Sequence, residues 1–180
     1  MLARPARFGL RNGPHRKRAP CANVVVRAVT LSEEEERFVL SQRVARLATA
    51  DRGARPHVVP LCFAYGAGCF YFAVDEKPKR KTGRPLKRIE NLLENPRVAL
   101  VIDRYSEDWS TLAYVLVHGE AAVVHDEGEY EAALALLRER YPQYRAMSLC
   151  IKRNPVVRIT PTRVHAWGLL GGRGAEPTGP

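Results

Sequence analysis

The densest group of residues capable of chemistry is a run of cations near the middle of the chain. Residues 76–88, the cation run, contain seven Lys or Arg side chains and a single acid, Glu76. The cations are Lys77, Lys79, Arg80, Lys81, Arg84, Lys87 and Arg88. Such a run repels itself unless an anion joins it, so this stretch is a candidate binding site for a phosphate or a carboxylate.

The cation run leads into a short predicted helix. Apolar residues recur at helical spacing from Leu86 onward, until Pro96 ends the pattern. The first backbone N–H groups of a helix are unpaired and lie at the positive end of its dipole. This helix start therefore favours an anion even before Lys87 and Arg88 are counted. Residues 98–102 that follow are almost wholly apolar and predict a buried strand.

Motifs for several other kinds of chemistry are missing from the sequence. It contains no G-x-S-x-G elbow, no H-E-x-x-H pair, no Walker loop and no G-x-G-x-x-G after a strand. The five histidines show no metal-ligand spacing, so no metal site is expected, and no residue is identified as catalytic. A protein that lacks a nucleophile and a metal of its own can still be an enzyme if a cofactor carries out the difficult step.

Most of the elements that must position such a cofactor are predicted strands. They cover residues 43–50, 57–65, 69–74, 98–102, 111–124 and 155–167. Because proline cannot donate to a ladder, Pro60 places the second strand at a sheet edge or at a bulge. Gly119 predicts a bulge or a sharp bend in the fifth strand, of the kind by which small barrels close.

Two further helices flank these strands. Ser32 and Glu35 have the spacing of a capping box, which predicts a helix over residues 33–42. An apolar stripe at helical spacing predicts another over 126–141. Trp109 falls in a polar bend between strands, where an aromatic residue closes a barrel end or caps a ligand ring.

An ordered series of motifs resembles a known family. The series is S-E-E-E-E-R-F, R-V-A-R-L-A-T, R-P-H-V-V-P-L-C-F, K-R-x-x-N-L-x-x-N-P-R, V-A-L-V-I-D, E-D-W, V-H-G-E-A and R-I-T-P-T-R-V-H-A-W-G. It is similar to the pyridoxamine 5′-phosphate oxidase-like (PPOX class) split β-barrel family, and most similar to the actinobacterial branch that uses the deazaflavin coenzyme F420. The resemblance implies an α+β fold, predominantly β: a split β-barrel with about six antiparallel strands and short flanking helices.

The resemblance also implies a function, the transfer of a hydride between reduced F420 and an electron-poor small-molecule acceptor. The residues expected to bind the cofactor are Thr49, Val58, Val59, Pro60, Leu61, Lys79, Arg80, Lys81, Lys87, Arg88, Asn91 and Trp109. Lys87 and Arg88 would hold the phosphate, Thr49 and residues 58–61 would line the ring, and residues 79–81 would attract the tail carboxylates of F420.

Two alternatives to the F420 enzyme stay open. One is an FMN-binding protein of the oxidase type, although the paired Arg and Lys strand motif of true pyridoxamine phosphate oxidases is not found. The other is a non-enzymatic β-barrel that binds a cofactor or a polyanion. Nucleic-acid binding usually needs exposed aromatics among the cations, which the cation run lacks.

The family resemblance further implies a homodimer in which two protomers share each cofactor.

Composition divides the 180 residues into a basic extension, one domain and a tail. Residues 1–28 hold seven Lys or Arg and no acid, which accounts for most of the net charge of +10. We expect this extension to be disordered or to precede the true start codon, with targeting or polyanion binding as the alternatives. We expect the split β-barrel domain at 29–168 and a disordered tail at 169–180. No secretory or membrane-spanning apolar segment is recognised, and the four cysteines form no C-x-x-C pair. The expected location is therefore the cytoplasm.

Overall fold

A computed structural model of the protein describes residues 29–75 and 86–171. The helices are α1 (Glu33–Ser41), α2 (Lys87–Glu94) and α3 (Glu127–Arg140), with short 3-10 turns at Trp109–Thr111 and Pro142–Ala146. The strands are β1 (Ala45–Ala50), β2 (Pro56–Leu61), β3 (Ala64–Gly66), β4 (Cys69–Ala73), β5 (Arg97–Arg104), β6 (Ala113–Val123) and β7 (Val156–Gly168). The capping box predicted before α1 is confirmed, since the Ser32 hydroxyl and the Glu35 carboxylate each accept from the other's backbone N–H.

The strands form a single antiparallel sheet of seven in the order β2-β1-β5-β6-β7-β4-β3. Every neighbouring pair in this order is antiparallel. β2 lies at one edge, which agrees with the expectation from Pro60, because its other side needs no ladder donor. The predicted class, an α+β fold dominated by β structure, is confirmed together with the half-barrel sheet of a split barrel.

The predicted strand over residues 57–65 is wrong in one respect: it is two strands, and they lie at opposite edges of the sheet. The chain leaves β2 after Leu61 and begins β3 at Ala64. Between them, the backbone of Phe63 bonds to a side chain instead of a strand. Its N–H donates to the hydroxyl of Tyr141 at 3.1 Å, and that hydroxyl lies 2.9 Å from its carbonyl oxygen. Tyr141, which directly follows the last residue of α3, thus takes the place of a strand partner for Phe63. The described residues therefore form seven strands, whereas about six were predicted.

We expect Tyr141→Phe to destabilise the fold by about 1–3 kcal/mol, because the buried Phe63 N–H would lose its acceptor. The loss should appear in chemical denaturation as a lower midpoint with an unchanged m-value. The matched control is Tyr105→Phe, which also removes a tyrosine hydroxyl, but from an exposed residue that donates a hydrogen bond to Glu107. Equal midpoints for the two variants would contradict this role of Tyr141.

The bulge predicted at Gly119 is confirmed. The β6–β7 pairing shifts between His118 and Gly119, and Gly119 faces Pro161. A Cβ atom at Gly119 would lie 2.7 Å from the carbonyl oxygen of Thr160, so only glycine allows this close approach of the two backbones. The register shift falls beside Pro161, which has no N–H to donate, and β7 continues past it as one strand, Val156–Gly168.

The sheet has an inner face that packs into the core and an outer face that does not. Inward side chains of β1, β5 and β6 are fully buried, and they include Leu47, Leu100 and Val117. A second apolar cluster joins α3 to β4 through Leu134 and Leu137. In the described ranges, no helix is long and apolar enough to cross a membrane.

The outer face, as defined here, consists of the residues of β2, β1, β5 and β6 that point away from the core. Its central row runs across the strands through pairs in register: Val58 with Ala48, Ala48 with Ala99, and Ala99 with His118. Val58 is 61 % exposed. The middle of the outer face, at Ala48 and Ala99, is therefore a floor of small apolar residues that the described chain leaves open, and His118 borders it.

Candidate functional site

The start of α2 is the first part of the site. Leu86, the residue before the helix, supplies no side-chain bond to the first turn, since its side chain has no acceptor. Ile89 and Leu92 anchor the opposite side of the helix in the core. This arrangement fixes the helix while leaving the amides of its first residues, Lys87 and Arg88, able to receive an anion.

Lys87 lies over the turn that joins β1 to β2. Its Nζ is 3.6 Å from Oδ2 of Asp51 and 3.9 Å from Oε2 of Glu90, and its side chain is 45 % exposed. The ammonium group is thus held near the helix start but remains reachable from solvent. This position is compatible with the predicted contact to a cofactor phosphate, which stays a prediction.

Asp51 is a site residue that the sequence analysis did not identify. Its buried carboxylate accepts from the backbone N–H of Arg55 at 3.1 Å and from its Nε at 2.8 Å. The backbone bond from Arg55 is the main reason that the pKa of Asp51 is lowered, and the guanidinium adds to it against the cost of burial. The sequence showed Asp51 only as part of a hairpin turn, and nothing local in it indicated the contact with Lys87.

A lowered pKa at Asp51 makes folding depend on pH. The unfolded chain protonates this carboxyl near its ordinary value of about 3.9, whereas the folded chain resists protonation to a lower pH. The stabilising contribution is therefore complete above about pH 4 and is lost as the pH falls further. We expect Asp51→Asn to flatten the fall of the free energy of unfolding between about pH 4 and pH 2, measured by urea denaturation. Parallel pH profiles for the two proteins would contradict this.

Arg88 points to a different set of neighbours from Lys87. Its guanidinium is partly buried, and its pKa is lowered by that burial, against the opposing effects of Asp75 and Tyr144. The Tyr144 hydroxyl donates to Oδ2 of Asp75 at 3.1 Å, and burial raises the pKa of Tyr144 well above its ordinary value. Nε of Arg88 is buried without an acceptor in the described residues. An anion at the helix start would supply one.

Asn91 and Thr49 form a buried pair beneath the helix. Nδ2 of Asn91 donates to the Thr49 hydroxyl at 3.0 Å, and Oδ1 of Asn91 has no donor among the described residues. Nδ2 of Asn95 donates to the carbonyl oxygen of Ala50 at 3.2 Å. These bonds attach α2 to β1, the strand that also contributes Ala48 to the outer face. Thr49 turns its side chain inward and away from the outer face.

The other predicted residues are distributed over several places. On β2, Val58 and Pro60 point outward, whereas Val59 and Leu61 pack against the core. Trp109 is 75 % exposed in the 3-10 turn after β5. Lys79, Arg80 and Lys81 lie outside the described residues. The structure thus brings Val58 and Pro60 onto one surface and separates Val59 and Leu61 from it.

A shallow cavity of about 310 Å³ opens on the outer face. Its lining consists of Ala48, Thr49, Ala50, Pro56, Arg97, Val98, Ala99 and His118. Alanine side chains let a flat molecule approach the sheet closely, and β1 connects this floor to the α2 start. A flat ring is compatible with this floor, and an anionic group is compatible with the α2 start. Among residues 29–75 and 86–171, no three His, Cys, Asp or Glu side chains gather as a metal site would require.

Comparison with known proteins agrees with this geometry. The family model described as pyridoxamine 5′-phosphate oxidase matches residues 31–168. The chain is also 28 % identical over 146 residues to the 5a,11a-dehydrotetracycline/5a,11a-dehydrooxytetracycline reductase of Streptomyces rimosus. That match covers 78 % of this chain and 84 % of the reductase.

Solved structures share the fold at lower identity. An FAD-binding protein of Mesorhizobium loti is 24 % identical with a TM-score of 0.57, over 79 % of this chain and 97 % of that one. The heme storage protein HutZ of Vibrio cholerae is 16 % identical with a TM-score of 0.60, over 78 % and 95 % of the two chains. With the family match over residues 31–168 and the half-barrel sheet, the chain belongs to the pyridoxamine 5′-phosphate oxidase family of split β-barrels.

Proposed function

We propose that this protein is an F420-dependent oxidoreductase that reduces an electron-poor small molecule in the cytoplasm. Membership of a family of oxidases and likeness to a reductase support an oxidoreductase with a flavin-type cofactor. The preference for F420 rests on charge. The seven cations of the cation run exceed what the single phosphate of FMN requires, whereas the F420 tail adds carboxylates.

One observation carries the proposal: a cationic helix start and an open floor of small residues are attached to the same strand, β1. Lys87, Arg88 and the first amides of α2 would hold the phosphate, and the buried Nε of Arg88 would gain an acceptor there. Ala48, Ala99 and the outward side chains of β2 would receive the ring. Lys79, Arg80 and Lys81, outside the described residues, remain the predicted partners of the tail.

The chain's own residues bind and position, and the bound cofactor supplies the two-electron hydride transfer. The apolar floor keeps water away from the ring, which strengthens the electrostatic interactions near it. The cationic helix start fixes the anionic end and thereby sets the position of the ring along the sheet. The proton would come from water or from a polar residue, and none of the described residues is assigned as its donor.

Direct titration with F420 and with FMN tests the proposal. Reduced and oxidised F420 should bind to the purified protein more tightly than FMN, measured by fluorescence change at constant ionic strength. Deazaflavin without phosphate and tail is the control ligand, and its affinity should be at least about tenfold lower, since it lacks the charged contacts. Equal affinity for the control ligand and F420 would contradict the anion site.

FMN is the second candidate cofactor, because the matched family is that of pyridoxamine 5′-phosphate oxidase and one similar structure is an FAD-binding protein. A protein that uses FMN should purify with a yellow colour and should bind FMN more tightly than F420 in the same titration. Its phosphate would occupy the same helix start, so the roles of Lys87 and Arg88 would not change. The two cofactors thus differ in the contacts expected beyond the phosphate.

We also propose that the outer face is covered by a second copy of the chain. Val58 on this face and Trp167 near it are strongly exposed, and in the resembled family two protomers share each cofactor. We expect Ala99→Glu to convert a dimer into a monomer, because it places a charge at the centre of this face. Sedimentation velocity measures the change. Ala135→Glu on the exposed side of α3 is the matched control and should remain a dimer.

A further inference from the structure

Arg55 is a second cation held at the α2 start, contributed by the β1–β2 turn. Its Nε lies 2.8 Å from Oδ2 of Asp51, and Nζ of Lys87 lies 3.6 Å from the same oxygen. The two cationic groups are therefore neighbours across one carboxylate. They belong to elements more than thirty residues apart in sequence, so no local motif indicates the pair.

The turn that carries Arg55 is tightly fixed. The backbone N–H of Ala54 donates to the carbonyl oxygen of Asp51 at 2.9 Å, and the N–H of Arg55 donates to its carboxylate. The Arg52 N–H donates to Oε2 of Glu94 at 3.2 Å, which attaches the same turn to the last residue of α2. Both ends of the helix are thus linked to the turn, and the position of Arg55 relative to Lys87 is determined.

The two cations face the buried carboxylate of Asp51, and Oε2 of Glu90 lies 3.9 Å from the Lys87 ammonium. The dipole of α2 adds positive potential at the same point. The Arg55 side chain is 82 % exposed. Since the bond to Asp51 uses Nε, the outer part of the guanidinium is at the surface beside Lys87. A guanidinium held in this way loses little entropy when it binds an anion bidentately.

From this geometry we infer that Arg55 is a direct contact for the anionic part of the ligand bound at the α2 start, and that Asp51 is the positioning residue that holds it beside Lys87. The inference rests on the proposed function for the identity of the ligand. The shared chemistry is a phosphate ester or a carboxylate. Both groups accept two parallel N–H bonds from a guanidinium.

The test compares Arg55→Gln with Arg52→Gln, its matched control. Both residues are exposed arginines of the same turn, but Arg52 is anchored to α2 through its backbone N–H. Dissociation constants are measured by fluorescence for F420 and FMN and by calorimetry for inorganic pyrophosphate, at two salt concentrations. Arg55→Lys is the conservative variant. Thermal melting of each variant shows that the measurements are made on folded protein.

We expect Arg55→Gln to weaken F420 binding about tenfold and to reduce its salt dependence. Arg52→Gln should change binding less than about twofold, and Arg55→Lys should restore part of the loss. A loss for F420 alone assigns Arg55 to the tail carboxylates, and a loss for FMN and pyrophosphate as well assigns it to the phosphate. Equal affinities for the Arg55→Gln and Arg52→Gln variants with all three ligands would overturn the inference.

Failure of the proposed function gives a different result. If neither F420 nor FMN binds the wild-type protein but pyrophosphate does, the cofactor assignment is wrong, and Arg55→Gln still decides whether this residue contacts the anion. If the wild-type protein binds none of the three, both the anion site and the role of Arg55 are wrong. Each outcome therefore identifies which of the two statements fails.

Discussion

Replacing Lys87 and Arg88 together by alanine should lower the affinity for F420 and for FMN by at least about a hundredfold. Each side chain would contribute a charge-assisted hydrogen bond worth roughly 1.5 kcal/mol or more, and two such losses amount to about two orders of magnitude. The Nε of Arg88 is buried without an acceptor in the described residues, and a bound anion would supply one. Fluorescence titration of the purified variant measures the effect.

A control variant with the same change in net charge distinguishes the loss of this contact from a general loss of positive charge. The double replacement of Arg37 and Arg138 by alanine removes two surface cations from α1 and α3. That variant should keep the wild-type affinity to within about twofold, because screened charges at a distance contribute little. If the Lys87 and Arg88 variant binds as the control does, the α2 start is not the anion site. Because Arg88 also faces Asp75, melting curves must accompany each titration.

Gly168→Ala should destabilise the protein by at least about 3 kcal/mol and prevent β7 from closing against β6. Gly168 has φ +85, a left-handed backbone conformation that costs other residues about 1 kcal/mol. The larger effect is steric, because a Cβ atom there would lie 2.0 Å from the carbonyl oxygen of Leu112. That atom belongs to the backbone and cannot rotate away. Chemical denaturation of the purified variant measures the loss.

The same substitution at Gly128 is the comparison. A Cβ at Gly128, in the first turn of α3, meets the Asp126 carboxylate at 3.2 Å, and this side chain is able to shift. Alanine also has the higher helix propensity, so the stability of the variant should change by less than about 1 kcal/mol in either direction. A small effect at Gly168 would mean that the end of β7 relaxes away from Leu112.

Local patterns were sufficient to predict much of the fold. Ser32 and Glu35 predicted the start of α1, because the capping box is a contact between residues three positions apart. Gly119 predicted the bulge, because only glycine lets two backbones approach so closely. The spacing of the apolar residues from Leu86 to Pro96 predicted α2, because it places them on one side of a helix. In each case the signal is carried by a residue type or a spacing within one segment of the chain.

Contacts between distant parts of the chain were not predictable in this way. The break between β2 and β3 depends on the hydroxyl of Tyr141, 78 residues beyond Phe63. Asp51 was recognised only as a turn residue, and its contact with Lys87 exists because α2 folds back onto β1. The alternating burial of β2 likewise separated Val59 and Leu61 from the outer face, to which Val58 belongs. Such facts follow from the sheet order, which no single segment encodes.

The position of β7 has a consequence for biosynthesis. The β3–β4 hairpin joins the remainder of the sheet only through β7, which lies more than eighty residues later in the chain. While the protein emerges from the ribosome, the aromatic strand Cys69–Ala73 therefore has unpaired backbone N–H and C=O groups along one edge until β7 has been synthesised. Newly made chains should depend on chaperones during that interval and should aggregate when translation stalls before residue 156.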